Sequence, residues 1–406
     1  MAGIVVVGAG QAGAALAAKL RALGYAGALT LIGAEPVAPY QRPPLSKQYL
    51  LKEMALDRLF LRAESFYAEQ QIALRLGRAV TAIDRRAKTV TLDGETLGYD
   101  QLALTTGALP RRLPAALGGD LAGVYTVRTL ADVDAMEAEF RPGRRALIVG
   151  GGYIGLEAAA VAAKLGLQVT LIEAAPRILQ RVAAPETSDF FRAIHQAHGV
   201  TIREGVGLER LLGETRVRGA RLADGSEIAA DFVIVGIGIE PDTGLAAAAG
   251  LALDNGIATD AQGRSSDPAI WAAGDCASFP WRGGRLRLES VGNAIDMAEA
   301  VAANMLGAGQ PYVAQPWFWS DQYDVKLQIA GLNAGYDRIV TRDDGRQGAA
   351  RAVSFWYYGG DRLLAVDAMN APRAYMIGKR LIEMGKSPDP ATVADPAADL
   401  KALLKP

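Results

Sequence analysis

A repeated glycine pattern constrains the fold of this 406-residue chain more than any other feature of its sequence. Residues 4–35 and residues 146–173 both read as an apolar strand, a glycine loop, an alanine-rich helix, a second strand and an acidic residue. The two loops, GAGQAG at 8–13 and GGGYIG at 150–155, match G-x-G-x-x-G. The match has weight because each loop follows a strand and opens a helix, as a dinucleotide-binding unit requires. The sequence therefore predicts two such units in one α/β chain.

Each glycine of the pattern has a separate physical reason. The first allows a tight turn after the strand, the second lets the backbone approach a pyrophosphate, and the third lets the helix pack closely on the strand. The N-terminus of that helix then faces the anion. Glu35 and Glu173 follow the second strands, 27 and 23 residues after Gly8 and Gly150 respectively. A carboxylate there, about 20 residues on in the usual spacing, binds the hydroxyl groups of a ribose.

Charge and cysteine content exclude several classes of function. Lys and Arg number 43 against 44 Asp and Glu, so the chain lacks the basic excess that binds a phosphate backbone, and we expect no nucleic-acid partner. Cys276 is the single cysteine, which excludes an internal disulfide, dithiol redox chemistry and a cysteine-ligated cluster. We interpret it as a packing residue. No apolar run reaches about 18 residues, and the N-terminal strand lacks a charged lead, so we expect a cytoplasmic protein without membrane attachment.

The two histidines of the chain do not predict a metal site. His195 and His198 are spaced i, i+3 and could share a metal ion, but the sequence contains no cysteine or further histidine positioned to complete a ligand set. We therefore expect no bound metal, and we expect both histidines at a solvated helix end.

The rest of the chain divides around the two repeats. Strand-like spacing on both sides of an Asp-Gly turn at 93–94 predicts antiparallel hairpins inserted in the first unit, and similar strands surround residues 223–226 in the second. A helix from about Asn293 to Leu306 then returns to the first unit. A break before residue 313 introduces a C-terminal segment rich in aromatic residues. The predicted domains are 1–112 together with 240–312, 113–239, and an α+β domain at 313–406.

Further short motifs are spread along the whole chain. Besides the glycine loops at 8–13 and 150–157, they are RPPLSK at 42–47, TTG at 105–107, VGIGIEP at 235–241, AGD at 273–275, ESV at 289–291 and WFWSDQY at 317–323. Together they resemble the two-dinucleotide flavoprotein reductases, which have a glutathione-reductase-like fold. The resemblance is strongest to the FAD-dependent NADH:ferredoxin reductases of bacterial oxygenase systems, the putidaredoxin reductase type. It implies FAD in the 1–112 and 240–312 domain and NADH in the 113–239 domain.

By this resemblance, the first repeat is an FAD site. Glu35 is implied at the adenosine ribose, whereas Ala34, where relatives commonly carry a second acid, offers only its backbone. The other implied contacts are Gly8, Gly10, Ala12 and Gly13 at the pyrophosphate, Val80 at the adenine, Arg128 at the phosphates, Asp275 at the ribityl chain and Val291 beside the flavin ring. Composition alone would make Arg128 a solvated surface residue and Asp275 a turn aspartate. The motif context favours the FAD contacts.

The second repeat is implied as the NADH site, with Gly150, Gly152 and Gly155 at the pyrophosphate and Glu173 at the adenosine ribose. Ala174 and Ala175 follow Glu173 in place of basic residues. Because an anion at this position repels a 2′-phosphate, we expect NADH to be preferred over NADPH. Arg177 counts against this preference, since a basic side chain in this segment could bind the 2′-phosphate of NADPH.

Lys47 and Glu157 are implied at the reacting ends of the two cofactors, with Lys47 beside flavin N5 and Glu157 near the nicotinamide. The alternatives are an ordinary exposed helix lysine for Lys47 and, for Glu157, an acid that complements the positive end of its helix. Our hypothesis is that the two residues pair across the hydride path. Trp319 is either a core residue or part of an aromatic cover over the flavin.

The resemblance implies an enzyme that passes electrons from NADH through FAD to a [2Fe–2S] ferredoxin, which serves a cytochrome P450 or a ring-hydroxylating dioxygenase. Arg62, Lys379 and Arg380 are candidate docking residues for an acidic ferredoxin. Two alternatives stay open at this point. One is a reductase of rubredoxin or of a small acceptor, and the other is a redox-signalling flavoprotein that resembles apoptosis-inducing factor.

Overall fold

A computed structural model describes residues 3–347 and 350–405. In this part of the chain the helices are α1 (Gln11–Ala22), α2 (Glu64–Glu69), α3 (Leu130–Met136), α4 (Tyr153–Lys164), α5 (Pro185–Ala197), α6 (Gly244–Ala248), α7 (Val291–Met305), α8 (Pro372–Glu383) and α9 (Pro390–Ala394). The strands of the first third are β1 (Gly3–Val7), β2 (Leu29–Gly33), β3 (Ala73–Leu76), β4 (Val80–Asp84), β5 (Thr89–Leu92), β6 (Glu95–Leu104), β7 (Ala108–Pro110) and β8 (Val124–Tyr125).

The later strands fall into two groups along the chain. From the second repeat to α7 they are β9 (Arg145–Val149), β10 (Gln168–Glu173), β11 (Thr201–Glu204), β12 (Leu208–Gly213), β13 (Val217–Leu222), β14 (Glu227–Ala229), β15 (Phe232–Val235), β16 (Ile239–Pro241), β17 (Ile257–Ala258), β18 (Ile270–Ala272), β19 (Ala277–Trp281) and β20 (Gly284–Leu286). The C-terminal strands are β21 (Trp317–Gln322), β22 (Val325–Gly331), β23 (Arg338–Gln347), β24 (Ala350–Gly359) and β25 (Arg362–Met369).

These elements form two compact units. The first unit comprises the segment ending at Gln41, Ala55–Leu109 and Ile239–Pro316. The second comprises Arg42–Met54, Pro110–Gly238 and the segment that begins at Trp317. The second glycine loop and the C-terminal strands therefore belong to the same unit. The division into three domains at 112, 239 and 312 stays a prediction.

The first unit contains a parallel sheet in the order β3-β2-β1-β6, with β18 on the far side of β6. Its central strand β1 reads GIVVV and is buried throughout, because helices cover a parallel sheet on both faces. The other end of β6 pairs antiparallel with β5, which pairs with β4. The hairpin predicted at the Asp-Gly turn is thereby confirmed.

The second unit repeats this arrangement and adds a second kind of sheet. Its parallel sheet has the order β11-β10-β9-β15-β8. The strands predicted around residues 223–226 form the hairpin β13–β14. The C-terminal strands form an antiparallel sheet in the order β21-β22-β25-β24-β23, against which α8 packs. The predicted fold class, two Rossmann-like parts and a C-terminal α+β part, is confirmed.

Local sequence explains where the principal helices begin and end. The helix predicted to run to about Ala22 ends at that residue, before a glycine with a left-handed backbone at position 24. The helix predicted from about Asn293 begins two residues earlier, because the Ser290 side chain accepts a hydrogen bond from the backbone N–H of Asn293 and caps it. Among the described residues, no helix combines the length and hydrophobicity needed to cross a bilayer.

A buried acidic residue joins β25 to the helix α5 within the second unit. Asp367 is 1% exposed and accepts hydrogen bonds from Thr187 Oγ1 at 2.8 Å and from the hydroxyl of Tyr357. The same Tyr357 hydroxyl accepts the backbone N–H of Ala184 at 3.1 Å. Burial raises the pKa of Asp367 from 3.8 to about 6. The C-terminal sheet is therefore fixed to α5 through a group that is costly to ionise.

We expect Asp367→Asn to stabilise the protein increasingly as pH rises from 4 to 7.5. The folded state binds the Asp367 proton more tightly than the unfolded state, so the stability this gives is present below pH 3.8 and is lost as pH passes about 6. The loss corresponds to roughly 3 kcal/mol at about 1.4 kcal/mol for each pKa unit. Asparagine accepts both hydrogen bonds and does not ionise. The measurement is the thermal midpoint of the variant minus that of the parent protein across this pH range.

The matched control is Asp361→Asn, which removes an exposed carboxyl from the β24–β25 turn and should leave the midpoint nearly unchanged at each pH. A difference for Asp367→Asn that stays constant or shrinks with rising pH contradicts the prediction.

Candidate functional site

The first glycine loop is built around contacts that only glycine permits. Gly8 has a φ of +114°, and a Cβ on Gly13 would lie 1.9 Å from the carbonyl oxygen of Gly8. A Cβ on Gly10, by contrast, would meet nothing within 4 Å. Gly10 is the N-cap of α1 and has no side-chain cap, so the first N–H groups of α1 face this open space. The space and its donors fit a pyrophosphate.

An acidic group stands at the end of β2, as predicted. Tyr40 Oη donates a hydrogen bond to Glu35 Oε2 at 2.6 Å, which fixes the orientation of the carboxylate. Ala34 is exposed and contributes no acid. Tyr40 was not identified from the sequence, because nothing in the glycine pattern distinguishes it from any other aromatic residue in a loop.

Other predicted residues of the first unit come close to this loop through tight packing. Gly274 has a φ of +81°, and a Cβ there would lie 2.9 Å from Cβ of Ala12. The turn that carries Asp275 therefore packs directly on the first turn of α1. Val291 is the first residue of α7, which packs against α1. Val80 begins β4 and is half-buried. The roles of these residues toward FAD stay predictions.

The second glycine loop repeats the same geometry in the second unit. Gly150 has a φ of +108°, and a Cβ on Gly155 would lie 2.1 Å from the Gly150 carbonyl oxygen. A Cβ on Gly152 would again meet nothing within 4 Å, and Gly152 is the uncapped N-cap of α4. The two loops thus present equivalent spaces, each bounded by the N-terminus of a helix, and both fit a dinucleotide.

Glu173 and Arg177 are both fixed by their own segment. Glu173 accepts the backbone N–H of Gly151 on one carboxylate oxygen and that of Ala175 on the other, each at 2.7 Å. Its negative charge is therefore held at the edge of the glycine loop. The guanidinium of Arg177 donates to Ser188 Oγ at 2.6 Å and to the Ala183 carbonyl at 2.8 Å. These bonds turn the Arg177 side chain toward the start of α5. They therefore argue against a role for Arg177 in binding a 2′-phosphate.

Lys47 and Glu157 form a buried ion pair, with Lys47 Nζ 2.9 Å from Glu157 Oε1. Lys47 is 8% exposed and Glu157 is 2% exposed. Lys47 is therefore not an ordinary exposed lysine, and Glu157 lies beyond the first turn of α4, where a helix-dipole role would be weak. Pro43 and Pro44 begin a 3-10 turn that ends at Ser46 and positions Lys47 directly after it. The pairing agrees with the hypothesis from the sequence, and its role in hydride transfer stays a proposal.

Two serine hydroxyls complete the surroundings of the Glu157 carboxylate. Ser46 Oγ donates to Oε2 at 2.7 Å, and Ser320 Oγ donates to Oε1 at 2.6 Å. A buried carboxylate requires such donors, because losing water costs several kcal/mol that a single cation does not fully restore. Ser320 belongs to β21, so the C-terminal sheet supplies part of this cluster.

The remaining predicted residues of the second unit lie in different surroundings. Trp319 is half-buried in β21 and stacks on Trp317 with 5.5 Å between ring centroids. Lys379 lies over the other ring of that pair, with Nζ 5.5 Å from the Trp317 centroid. Arg380 is exposed and pairs with Glu383 at 3.4 Å. Arg128 is half-buried, and its carbonyl accepts Arg42 Nη1 at 2.7 Å. Arg62, in the first unit, is exposed.

The prediction of a solvated position for both histidines is wrong for His195. His195 is completely buried, with Nε2 2.8 Å from Gln322 Oε1, because the β21–β22 hairpin covers this face of α5. His198, one turn later, is exposed as expected. No group of three or more possible metal ligands occurs within residues 3–347 and 350–405.

Known protein families match most of the chain. Residues 2–298 match the pyridine nucleotide-disulphide oxidoreductases, and residues 317–404 match the reductase C-terminal family. The chain belongs to the pyridine nucleotide-disulphide oxidoreductase family. This membership confirms FAD and NADH as its cofactors and oxidoreduction as its chemistry. Which repeat binds which cofactor stays a prediction.

Two known proteins and one solved structure are similar to this chain over nearly its whole length. A ferredoxin–NAD(P)(+) reductase of Sphingomonas is 46% identical over 99% of this chain and 98% of its own length. Putidaredoxin reductase of Pseudomonas putida is 41% identical over 99% of this chain and 96% of its own length. The crystal structure of the covalent putidaredoxin reductase–putidaredoxin complex superposes with a TM-score of 0.94 at 40% identity, covering 99% of this chain and 98% of that one.

We expect Gly152→Ala to weaken NADH binding without unfolding the protein. Its Cβ would enter the open space at the N-terminus of α4, and its backbone, with φ −81° and ψ 178°, suits alanine. The NADH dissociation constant should rise by at least about tenfold, because the backbone could no longer approach the pyrophosphate. The measurement is an NADH titration of the FAD-loaded protein, together with its thermal midpoint.

Gly10→Ala is the reciprocal control, since its Cβ would also meet open space. It should weaken retention of FAD and leave the NADH affinity of the FAD-loaded protein intact. Unchanged NADH affinity in Gly152→Ala would remove this loop from the NADH site.

Proposed function

We propose that this protein is an NADH-dependent, FAD-containing ferredoxin reductase. It passes electrons from NADH through FAD to a [2Fe–2S] ferredoxin, and that ferredoxin supplies a cytochrome P450 or a ring-hydroxylating dioxygenase. The proposal is supported by the full-length similarity to a ferredoxin–NAD(P)(+) reductase and to putidaredoxin reductase. Such an enzyme works in the cytoplasm, where NADH is available.

The observation that carries this proposal is the lack of any partner thiol in the sequence. Cys276 is the single cysteine, it is completely buried, and burial raises the pKa of its thiol. The name of the family includes a disulphide, and the disulphide reductases that this chain resembles place a redox cysteine pair where it has residues 42–47. Here that segment contains no cysteine and ends in the lysine that pairs with Glu157. Electrons therefore leave from the flavin directly, which suits a one-electron carrier such as a [2Fe–2S] ferredoxin.

We propose the following roles for the residues of the chain. The first glycine loop and Glu35 bind FAD, and the second glycine loop and Glu173 bind NADH. When bound, FAD accepts a hydride and can release the electrons singly. The Lys47–Glu157 pair places a fixed cation and a fixed anion, shielded from water, where hydride transfer takes place. No general base is needed for this chemistry.

The acceptor is proposed to dock through basic side chains. Arg62 and Arg380 are exposed, each in its own unit, and the half-buried Lys379 lies beside Trp317. Positive groups of this kind speed the encounter with an acidic carrier more than they tighten binding. Trp319, whose ring stacks on Trp317, is proposed to form part of an aromatic cover over the flavin.

The proposed function predicts rapid flavin reduction by NADH followed by rapid transfer to ferredoxin. The FAD-loaded protein is mixed with NADH in a stopped-flow instrument and then with oxidised [2Fe–2S] ferredoxins, rubredoxin or a quinone. We expect one or more ferredoxins to be reduced faster than the other acceptors. Faster reduction of rubredoxin or quinone, slow reoxidation by every acceptor, or no bleaching by NADH would contradict the proposal.

Glu173→Gln should lower the preference for NADH over NADPH. The variant removes the anion that would repel a 2′-phosphate, and its single carbonyl oxygen can still accept one of the two backbone N–H groups that Glu173 binds. We expect the ratio of kcat/KM values to fall about tenfold, equivalent to roughly 1.4 kcal/mol. Glu209→Gln, an exposed change on β12, serves as the control and should leave the ratio unchanged. An unchanged ratio in Glu173→Gln would show that Glu173 does not contact the ribose.

A further inference from the structure

The Glu157 carboxylate is the end point of a buried chain of hydrogen bonds that begins at α5. Ser320 Oγ, which donates to Glu157, accepts a hydrogen bond from Gln322 Nε2 at 3.1 Å. Gln322 Oε1 in turn lies 2.8 Å from His195 Nε2. Ser320, Gln322 and His195 are 0%, 1% and 0% exposed respectively. Bulk water therefore does not replace any of these partners.

The direction of every bond in this chain follows from its chemistry. The Ser320 hydroxyl donates its single proton to the carboxylate, so it must accept from the amide nitrogen of Gln322. That assignment leaves the Gln322 oxygen facing His195, and His195 Nε2 must carry the proton. His195 Nδ1 is then an acceptor, and Tyr323 Oη donates to it at 3.2 Å. From Tyr323 to Glu157, each group donates toward the carboxylate.

The far end of the chain is anchored at the turn between β21 and β22. Tyr323 has a φ of +55°, a left-handed conformation that a bulky residue rarely adopts. Its ring stacks on the imidazole of His198 with 3.7 Å between centroids and 12° between planes. The packing of the turn against α5 thus holds a strained backbone in place. Ser320 and Gln322 are two residues apart on β21, so their side chains lie on the same face of the strand and belong to one line of hydrogen bonds.

We propose that His195 is a positioning residue, which acts through Gln322 and Ser320 to orient the Glu157 carboxylate for hydride transfer. The proposal rests on the proposed function, since it concerns the same reaction. His195 does not contact Glu157, and its effect passes through the hydroxyl of Ser320. Burial lowers the pKa of His195 to about 4, so the ring is neutral at pH 7 and keeps the single proton that the chain requires.

The competing interpretation is that these bonds only attach the C-terminal sheet to α5. In that case, substitutions along the chain would lower the thermal midpoint without changing the chemistry of the flavin. A positioning role makes a different prediction. The limiting rate of flavin reduction at saturating NADH falls, and the dissociation constant for NADH stays constant.

The decisive comparison is between His195→Leu and His195→Gln. Leucine removes the donor, whereas glutamine can present an N–H at the position of Nε2. We expect His195→Leu to lower the limiting rate about tenfold, as a small displacement of a catalytic group can do, and His195→Gln to remain within about threefold of the parent protein. Lys47→Met, measured in parallel, gives the effect of losing the ion pair itself. The control is Gln196→Leu, an exposed change on α5 that leaves the chain of donors intact.

A double-mutant cycle tests whether the effect passes through Ser320. Ser320→Ala should lower the limiting rate by itself, and adding His195→Leu should lower it little further, because the chain is already cut. Independent, multiplicative effects would overturn the proposal. So would a limiting rate that is unchanged in His195→Leu, whatever its thermal midpoint. If His195→Leu does not fold, Gln322→Leu takes its place, because it cuts the chain between His195 and Ser320, and an unchanged limiting rate in that variant overturns the proposal.

A spectroscopic readout is available because the chain contains only two histidines. In the FAD-loaded protein labelled with ¹⁵N-histidine, we expect the resonances of His195 to show a neutral ring protonated at Nε2. The opposite tautomer would break the chain at Gln322 and overturn the proposal. If NADH does not bleach the parent flavin, the proposed function fails and the positioning role fails with it. If NADH bleaches it and His195→Leu matches the parent, only the positioning role fails.

Discussion

Both glycine loops depend on one steric constraint: a backbone carbonyl oxygen occupies the position that a Cβ atom would take on the third glycine of the loop. At Gly13 and Gly155, the first glycine of the same loop presents its oxygen 1.9 and 2.1 Å from the position of a Cβ. This contact brings the N-terminus of the helix to the end of the strand. The same contact also positions the open space at the second glycine and the acidic residue after the second strand. The helix, the loop and the second strand belong to one tightly packed unit.

A second constraint is the burial of opposite charges away from water. The Lys47–Glu157 pair is stable only with further donors, and the serines at 46 and 320 provide them. These serines come from segments more than 270 residues apart in the sequence, one before the second repeat and one in the C-terminal sheet. The C-terminal sheet is therefore part of the candidate active site as well as a separate structural layer.

Local patterns predicted the parts of the fold that local physics controls. The strands, helices and glycine turns of both repeats were predictable, because tight turns and apolar periodicity are properties of neighbouring residues. The burial of His195 was not, since the residues that cover it arrive with the β21–β22 hairpin, far along the chain. Tyr40 was missed for a similar reason, because its bond to Glu35 depends on the path of a loop without a regular pattern.

The sequence by itself determined the number of glycine loops, the glycines that form them, the acidic residue that follows each and the lack of a second thiol. These features are set by residue type and short spacing. The tertiary structure decided which side chains meet. It paired Lys47 with Glu157, turned Arg177 toward α5, and linked His195 to the carboxylate through Gln322 and Ser320. Spacing along a chain does not specify such contacts, because they arise only when distant segments pack and exclude water together.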